Sequence, residues 1–263
     1  MGKIIAVTNQ KGGVGKTTTC VNLAAALAAS RKRVLLVDMD PQGNATVGSG
    51  IDKDAVDFSG YHVLMERATS RDALVPVESA GYSVLPANGD LTAAEVELLE
   101  ARGREQRLRL ELARIRNDFD YILIDCPPSL NILTVNALVA AHGVLIPIQC
   151  EYYALEGLTA LLNTVRRVQQ TVNKELAIEG LLRTMYDPRN NLATQVGAQL
   201  VQHFGDQVYR TVIPRNVRLA EAPSHGIPAL QYDRTSRGAV AYMALASEIL
   251  RRDRRAAMAA ASE

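Results

Sequence analysis

Near its amino terminus the chain reads Asn9-Gln10-Lys11-Gly12-Gly13-Val14-Gly15-Lys16-Thr17-Thr18-Thr19. These residue types at this spacing can hold a polyphosphate. Consecutive backbone N–H groups followed by a helix amino terminus make an anion nest. Glycine at 12, 13 and 15 lets the backbone approach the phosphates closely, with φ above zero where needed. Lys16 is placed to reach the β- and γ-phosphates, and the Thr17 hydroxyl to ligate Mg²⁺. Lys11, Gly12, Gly13, Val14, Gly15, Lys16, Thr17 and Thr18 are therefore read as the ATP-binding residues of one loop. The plain alternative is a glycine-rich turn between a strand and a helix.

The strict pattern G-x-x-x-x-G-K-[ST] asks for glycine where this chain has Gln10, and the chain carries an additional lysine, Lys11. In cis, Lys11 would largely duplicate Lys16. In trans, from a second subunit, it would add positive charge where charge develops during phosphoryl transfer. An exposed surface lysine is the alternative.

Two further runs supply carboxylates. Val34-Leu35-Leu36-Val37-Asp38-Met39-Asp40-Pro41 is an apolar strand ending in two aspartates just where Pro41 stops a ladder. A carboxylate there can orient a water toward the γ-phosphate or hold Mg²⁺ through water. Tyr121-Ile122-Leu123-Ile124-Asp125-Cys126-Pro127-Pro128 is a second apolar strand with a terminal aspartate, the arrangement that brings a carboxylate to the Mg²⁺ shell. Thr17 and Asp125 are the expected metal ligands and Lys11 and Lys16 the expected catalytic lysines, while either Asp38 or Asp40 can take the metal or the water-orienting role. For each aspartate the alternative is a residue that only caps a turn.

The elements that must position these groups are legible. Apolar runs at 4–8, 34–38, 82–85, 121–125, 144–148 and 178–184 alternate with helical stretches. That alternation predicts an α/β fold with a doubly wound, mostly parallel β-sheet and helices on both faces. The loop, Asp38 and Asp125 fall at strand carboxyl ends, where such sheets bind ligands. The first helix is expected from Cys20 to Ala29, a capping box at Thr92–Glu95, loops and short helices over 48–81, a break at Gly103, and a closing helix near 236–261.

The Lys-Gly-Gly-x-Gly-Lys-Thr loop resembles the deviant Walker A loop of the ParA/MinD family of dimerising P-loop ATPases. The runs Asp38–Asn44 and Asp125–Pro128 resemble that family's switch and Walker B segments. Tyr186-Asp187-Pro188-Arg189, Ile213-Pro214-Arg215-Asn216 and Leu219–Gly226 look like its chromosomal, Soj-like group. The resemblance implies a single ATPase domain over residues 1–263 that uses ATP and Mg²⁺ and forms a homodimer on ATP binding. Asp40 would then activate the attacking water, and Asp38 would lie nearer the metal's outer shell. Met185, Pro214 and Asn216 would border the base. Arg189 and Arg218 would bind double-stranded DNA without sequence preference, and a ParB-like centromere-binding partner would stimulate hydrolysis and release. His225 is read as a turn residue with no chemistry.

Composition narrows the alternatives. The 263 residues are 48% hydrophobic with net charge +1, which suits a globular domain. From Arg183 to Arg255 there are 11 basic and 6 acidic residues, a moderately basic third able to touch an anionic polymer. Trp is absent and aromatics are 5%, which disfavours a stacking platform for single strands. Cys20, Cys126 and Cys150 show no CxxC spacing, which points to reduced thiols and away from an iron–sulfur site, with Cys20 a small core residue. No run of about 18 apolar residues is present, and no signal peptide is visible. A MinD-like membrane switch would need bulky apolar residues in the tail, where this chain has mostly alanine. The protein is therefore expected to be cytoplasmic with no membrane partner, and the resemblance implies that it is nucleoid-associated. A relative that positions a protein cargo instead of DNA stays open. With seven residues before Thr8, no N-terminal helix-turn-helix domain is expected.

Overall fold

The structure, a computed structural model, describes residues 2–152 and 154–260. Its strands are β1 (Lys3–Val7), β2 (Val34–Asp38), β3 (Val75–Val77), β4 (Tyr82–Leu85), β5 (Tyr121–Asp125), β6 (Gly143–Gln149), β7 (Ala177–Tyr186) and β8 (Val208–Pro214). Its helices are α1 (Lys16–Ala29), α2 (Asn44–Gly48), α3 (Gly60–Leu64), α4 (Leu91–Glu97), α5 (Arg107–Ile115), α6 (Ile132–Ala140), α7 (Ala154–Thr171), α8 (Asn191–Phe204), α9 (Val217–Glu221), α10 (Ala229–Tyr232) and α11 (Arg237–Ala260).

The strands form one sheet in the order β3-β4-β2-β5-β1-β6-β7-β8, parallel throughout except for β3 against β4. Inner strands are buried on both faces, which is why they read as continuous apolar runs. In β1, Ile4 and Ala6 enter the core under α4 to α8, while Ile5 and Val7 enter the core under α1 and α11. From β1 the chain crosses through α1 to β2 on one side, and β6 lies on the other side. The carboxyl end of β1 is thus a switch point, where a parallel sheet opens a crevice.

All six expected strands are present, and two more join them. β3 is three residues long with Pro76 at its centre, tolerable only at an edge. β8 is the opposite edge strand, and Arg210 and Thr211 interrupt its apolar residues. Neither produces a continuous apolar run. The first helix begins at Lys16, four residues before the expected start, because Gly15 at φ 89° serves as its N-cap. The capping box expected at Thr92–Glu95 does not form: Thr92 lies inside α4, Asp90 holds the N-cap position without a side-chain cap, and Glu95 instead accepts a hydrogen bond from Asn131 Nδ2 at 2.6 Å. Gly103 does break the following helical stretch, at φ 65°.

Candidate functional site

The loop between β1 and α1 is built from backbone held at several points. Asn9 Nδ2 donates to the Pro147 carbonyl at 2.8 Å, and Asn9 Oδ1 accepts from the Lys11 N–H at 3.0 Å. Thr184 Oγ1, from β7, donates to the Val14 carbonyl at 2.8 Å. Gly13 and Gly15 have φ of 73° and 89°, a region that side chains with a Cβ rarely enter. A Cβ at Gly12 or Gly13 would meet no atom within 4 Å beyond the adjoining residues, and both glycines line the cleft, so the space beside them is open to phosphate oxygens. Lys16 is buried, and its Nζ reaches the Lys11 carbonyl at 3.4 Å. Lys11 is exposed, and its Nζ pairs with Glu151 Oε2 at 2.5 Å in the segment after β6.

Sheet register brings the carboxylates to this loop. Asp125 pairs with Val7 on one side and with Asp38 on the other, so three strand ends lie level. Asp38 is fully buried. Its Oδ2 accepts from the Thr46 N–H and hydroxyl at 2.9 and 2.8 Å, and its Oδ1 from the Asp40 N–H at 3.1 Å. Both oxygens of Asp38 are thus spent on fixing the segment that carries Asp40. Burial pushes the Asp38 carboxyl up to about 6. Asp40 itself faces the cleft beside the phosphate loop, and its Oδ1 accepts from the Gln42 N–H at 3.0 Å.

Asp125 is different. Cys20 Sγ approaches its Oδ1 at 3.6 Å, and the nearby Thr17 hydroxyl acts to lower its carboxyl. Its Oδ2 is buried without a hydrogen-bond partner. Burial, then the nearby Asp38, raise this carboxyl well above the usual range. A buried carboxylate oxygen with no donor costs about 1–3 kcal/mol, and a cation beside it would remove that cost. Thr17 and Asp125 fit Mg²⁺, a hard cation that takes few protein oxygens and completes its shell with water and phosphate. Among the described residues no group of three His, Cys, Asp or Glu side chains forms a metal cage.

The cleft holds about 610 Å³ and is lined by loop residues Gly12, Gly13, Gly15 and Lys16 to Thr18, by Asp40 to Gln42 and Asn44, and by Pro127 to Ser129. Thr92, Glu95 and Met185 close its rim. A smaller adjoining cavity of about 180 Å³ brings Gly15 and Thr18 against Met185, Pro214 and Asn216. Asn216 Oδ1 is buried with no partner, an acceptor available to an exocyclic amine. Met185 adopts φ 47°, a strained value for a side chain of its size.

The arginines expected to meet DNA sit apart from this cleft and are paired on the surface. Arg189, after β7, is 89% exposed and binds Asp187 at 2.7 Å, and the arginine lowers the Asp187 carboxyl to about 2. Arg218, in α9, binds Glu221 at 2.7 Å and Asp233 at 3.4 Å. His225 stacks on Tyr232 at 4.9 Å. Sequence reasoning missed Thr46, Thr184 and Glu151, which hold Asp38, Val14 and Lys11. Thr184 and Glu151 are distant in sequence from the groups they hold, and Thr46 lies just past the Asp38–Asn44 run, so no local motif marks them. Cys20 is buried as expected, but its thiol lies against Asp125.

A doubly wound parallel sheet, with a phosphate loop at its switch point and level strand-end aspartates, defines a P-loop nucleoside triphosphatase fold. The family described as "AAA domain" matches residues 2–178. The sporulation initiation inhibitor protein Soj of Bacillus subtilis is 57% identical over 95% of this chain and 98% of its own length. The chromosome partitioning protein ParA of Caulobacter vibrioides is 52% identical, over 96% and 95%. A crystal structure from Mycobacterium smegmatis, described as cobyrinic acid a,c-diamide synthase with ADP and magnesium, is 41% identical with TM-score 0.84 over 95% of both chains. The chain belongs to the ParA/Soj family of chromosome-partitioning ATPases.

Proposed function

We propose that this protein is an ATP-driven DNA-partitioning ATPase that cycles between monomer and homodimer. The observation that carries this reading is the cleft itself: the glycine-rich loop, Lys16 and Thr17 face Asp40 across it, while Lys11 is held by a single surface ion pair at its mouth.

In this reading the loop amides and Lys16 bind and orient the phosphates of ATP. Asp40 orients the attacking water, held in place by the Asp38–Thr46 hydrogen bonds. Thr17 and Asp125 would hold Mg²⁺, which supplies charge neutralisation at the phosphates, with Asp38 behind them. Met185, Pro214 and Asn216 line the space for the base. Lys11 leaves Glu151 and reaches the nucleotide of a second subunit. Dimerisation would double the sparse basic surface of one subunit, so that Arg189 and Arg218 from both bind DNA phosphates without reading bases. A ParB-like partner would stimulate hydrolysis, which reopens the dimer. No described helix is long and apolar enough to cross a membrane, and the expected location is the nucleoid.

DNA retention measured with Mg²⁺-ATP, with ADP and without nucleotide tests the scheme. Binding is expected with ATP alone, salt-sensitive, and abolished in Arg189→Glu and Arg218→Glu while ATP affinity persists. Tight DNA binding by the nucleotide-free monomer would overturn it.

A further inference from the structure

The amino end of edge strand β8 carries a groove that the nucleotide chemistry does not use. It holds about 800 Å³ and is lined by Asp206, Arg210, Glu248, Arg251, Arg252 and Arg255. Two of these are structural. Glu248 is buried, and its carboxylate accepts from the Arg210 and Thr211 N–H groups, the Thr211 hydroxyl and Arg252. Arg252 also donates to the Val208 carbonyl and lies 4.3 Å from the centre of the Tyr209 ring. This pair ties α11 to β8 and leaves no spare charge.

The other three arginines are uncommitted. Among the described residues, Arg210, Arg251 and Arg255 have no carboxylate within ion-pair distance. Only Asp206 in the groove opposes them. Like charges gathered this way repel one another, and the fold gains nothing from the arrangement. Arg251 and Arg255 stand about one turn, ~6 Å, apart on α11, and Arg210 faces them from β8. The cations are carried by a helix and by a strand edge along one groove. That geometry suits successive phosphates of a polymer, and the guanidinium fork suits phosphate oxygens.

We propose that this groove is a second phosphate-binding site for double-stranded DNA, an inference that rests on the DNA-binding reading above. Arg189 and Arg218 lie beyond the carboxyl ends of β7 and β8, and the groove lies at the amino end of β8. Phosphates held at both ends would span the seven-residue β8, about 23 Å at the usual strand rise, or roughly two-thirds of a duplex turn. An anionic membrane is the poorer occupant. Beyond Arg255 the helix offers alanines and Met258, little apolar bulk to insert.

The test is a salt titration of duplex DNA binding with Mg²⁺-ATP, comparing the wild type with Arg251→Gln/Arg255→Gln and with Arg210→Gln, alongside flotation with phosphatidylglycerol vesicles. The double variant should fold, melt and bind ATP like the wild type. Its slope of log affinity against log salt should fall by about 0.9 for each phosphate no longer neutralised, about 2 per subunit, with affinity down ten-fold or more at low salt. An unchanged slope in a folded variant, while the wild type retains DNA, overturns the groove's role alone. A wild type that never binds DNA sinks the underlying reading instead. Vesicle binding that the double variant loses, with DNA binding intact, assigns the groove to a membrane and overturns the proposal.

Discussion

Asp125 is the costliest single residue in the site and the one with the sharpest expected response to substitution. Cys20 approaches its Oδ1, but its Oδ2 has no donor, and burial raises its carboxyl strongly. Asparagine keeps an acceptor toward Cys20 and removes the buried negative charge beside Asp38. Asp125→Asn should therefore raise the melting temperature of the nucleotide-free protein and abolish Mg²⁺-dependent stabilisation by ATP. The sign with pH follows from the raised carboxyl. The unfolded chain loses its proton near 3.9, while the folded chain holds it to higher pH, so stability is lost as pH rises through the folded value. The gain from Asp125→Asn should accordingly be larger at pH 8 than at pH 5. Thermal melts of both proteins at the two pH values check this, and a gain that shrinks at pH 8 would contradict it. Asp38, pushed up to about 6, drives the wild type the same way between pH 4 and 6. Its own replacement is a poorer probe, because both oxygens hold the Asp40 segment. Asp38, Asp40 and Asp125 were legible in sequence because each ends an apolar run. Thr46, which holds Asp38 by its N–H and hydroxyl, and Thr184, which holds Val14 by its hydroxyl, carry no such mark.

At the level of elements, the site depends on segments that sequence patterns describe poorly. α2 follows Asp40 directly, and the turn after α2 touches the turn that follows α9 through two glycines. Gly50 has φ 83°, and a Cβ there would lie 2.7 Å from the Gly226 carbonyl oxygen; Gly226 has φ 64°, and a Cβ there would lie 2.9 Å from the Gly50 Cα. Backbone packs on backbone, so neither neighbour can move aside as a side chain would. Gly226→Ala should cost about 2 kcal/mol or more, from the left-handed conformation and the overlap together. It should also weaken ATP binding, because it displaces α2 below Asp40 and α9 below Asn216. A melting temperature and ATP affinity equal to wild type would show that the two turns are independent. Continuous apolar strands and the closing helix were readable because burial on both faces, or a long helical period, leaves a repeated signal. β3 and β8 escaped because edge strands alternate or contain proline, and the helix start at Lys16 escaped because a positive-φ glycine, not a polar cap, begins it. The Thr92–Glu95 box matched its pattern but lost to Asn131, which claims the glutamate from a distant element.

For the whole molecule, the proposed cycle of monomer and dimer assigns Lys11 to closure and Asp40 to hydrolysis. Lys11 rests on Glu151 with both side chains close to half exposed. Such a pair contributes at most about 1 kcal/mol, so a second subunit's phosphates can displace it easily. In the proposed cycle Lys16, not Lys11, holds the loop's own nucleotide. Lys11→Ala should thus bind Mg²⁺-ATP within a few-fold of wild type yet remain monomeric and fail to retain DNA. Asp40→Ala removes the group that faces the cleft without touching the Asp38–Thr46 anchor. It should close normally and stay closed, giving a dimer that persists for as long as ATP is present and holds DNA after the wild type has released it. Light scattering during size-exclusion chromatography with ATP, paired with a phosphate-release assay, distinguishes the two. A dimeric Lys11→Ala would return that lysine to the surface. Hydrolysis by Asp40→Ala at the wild-type rate would mean that another group orients the water.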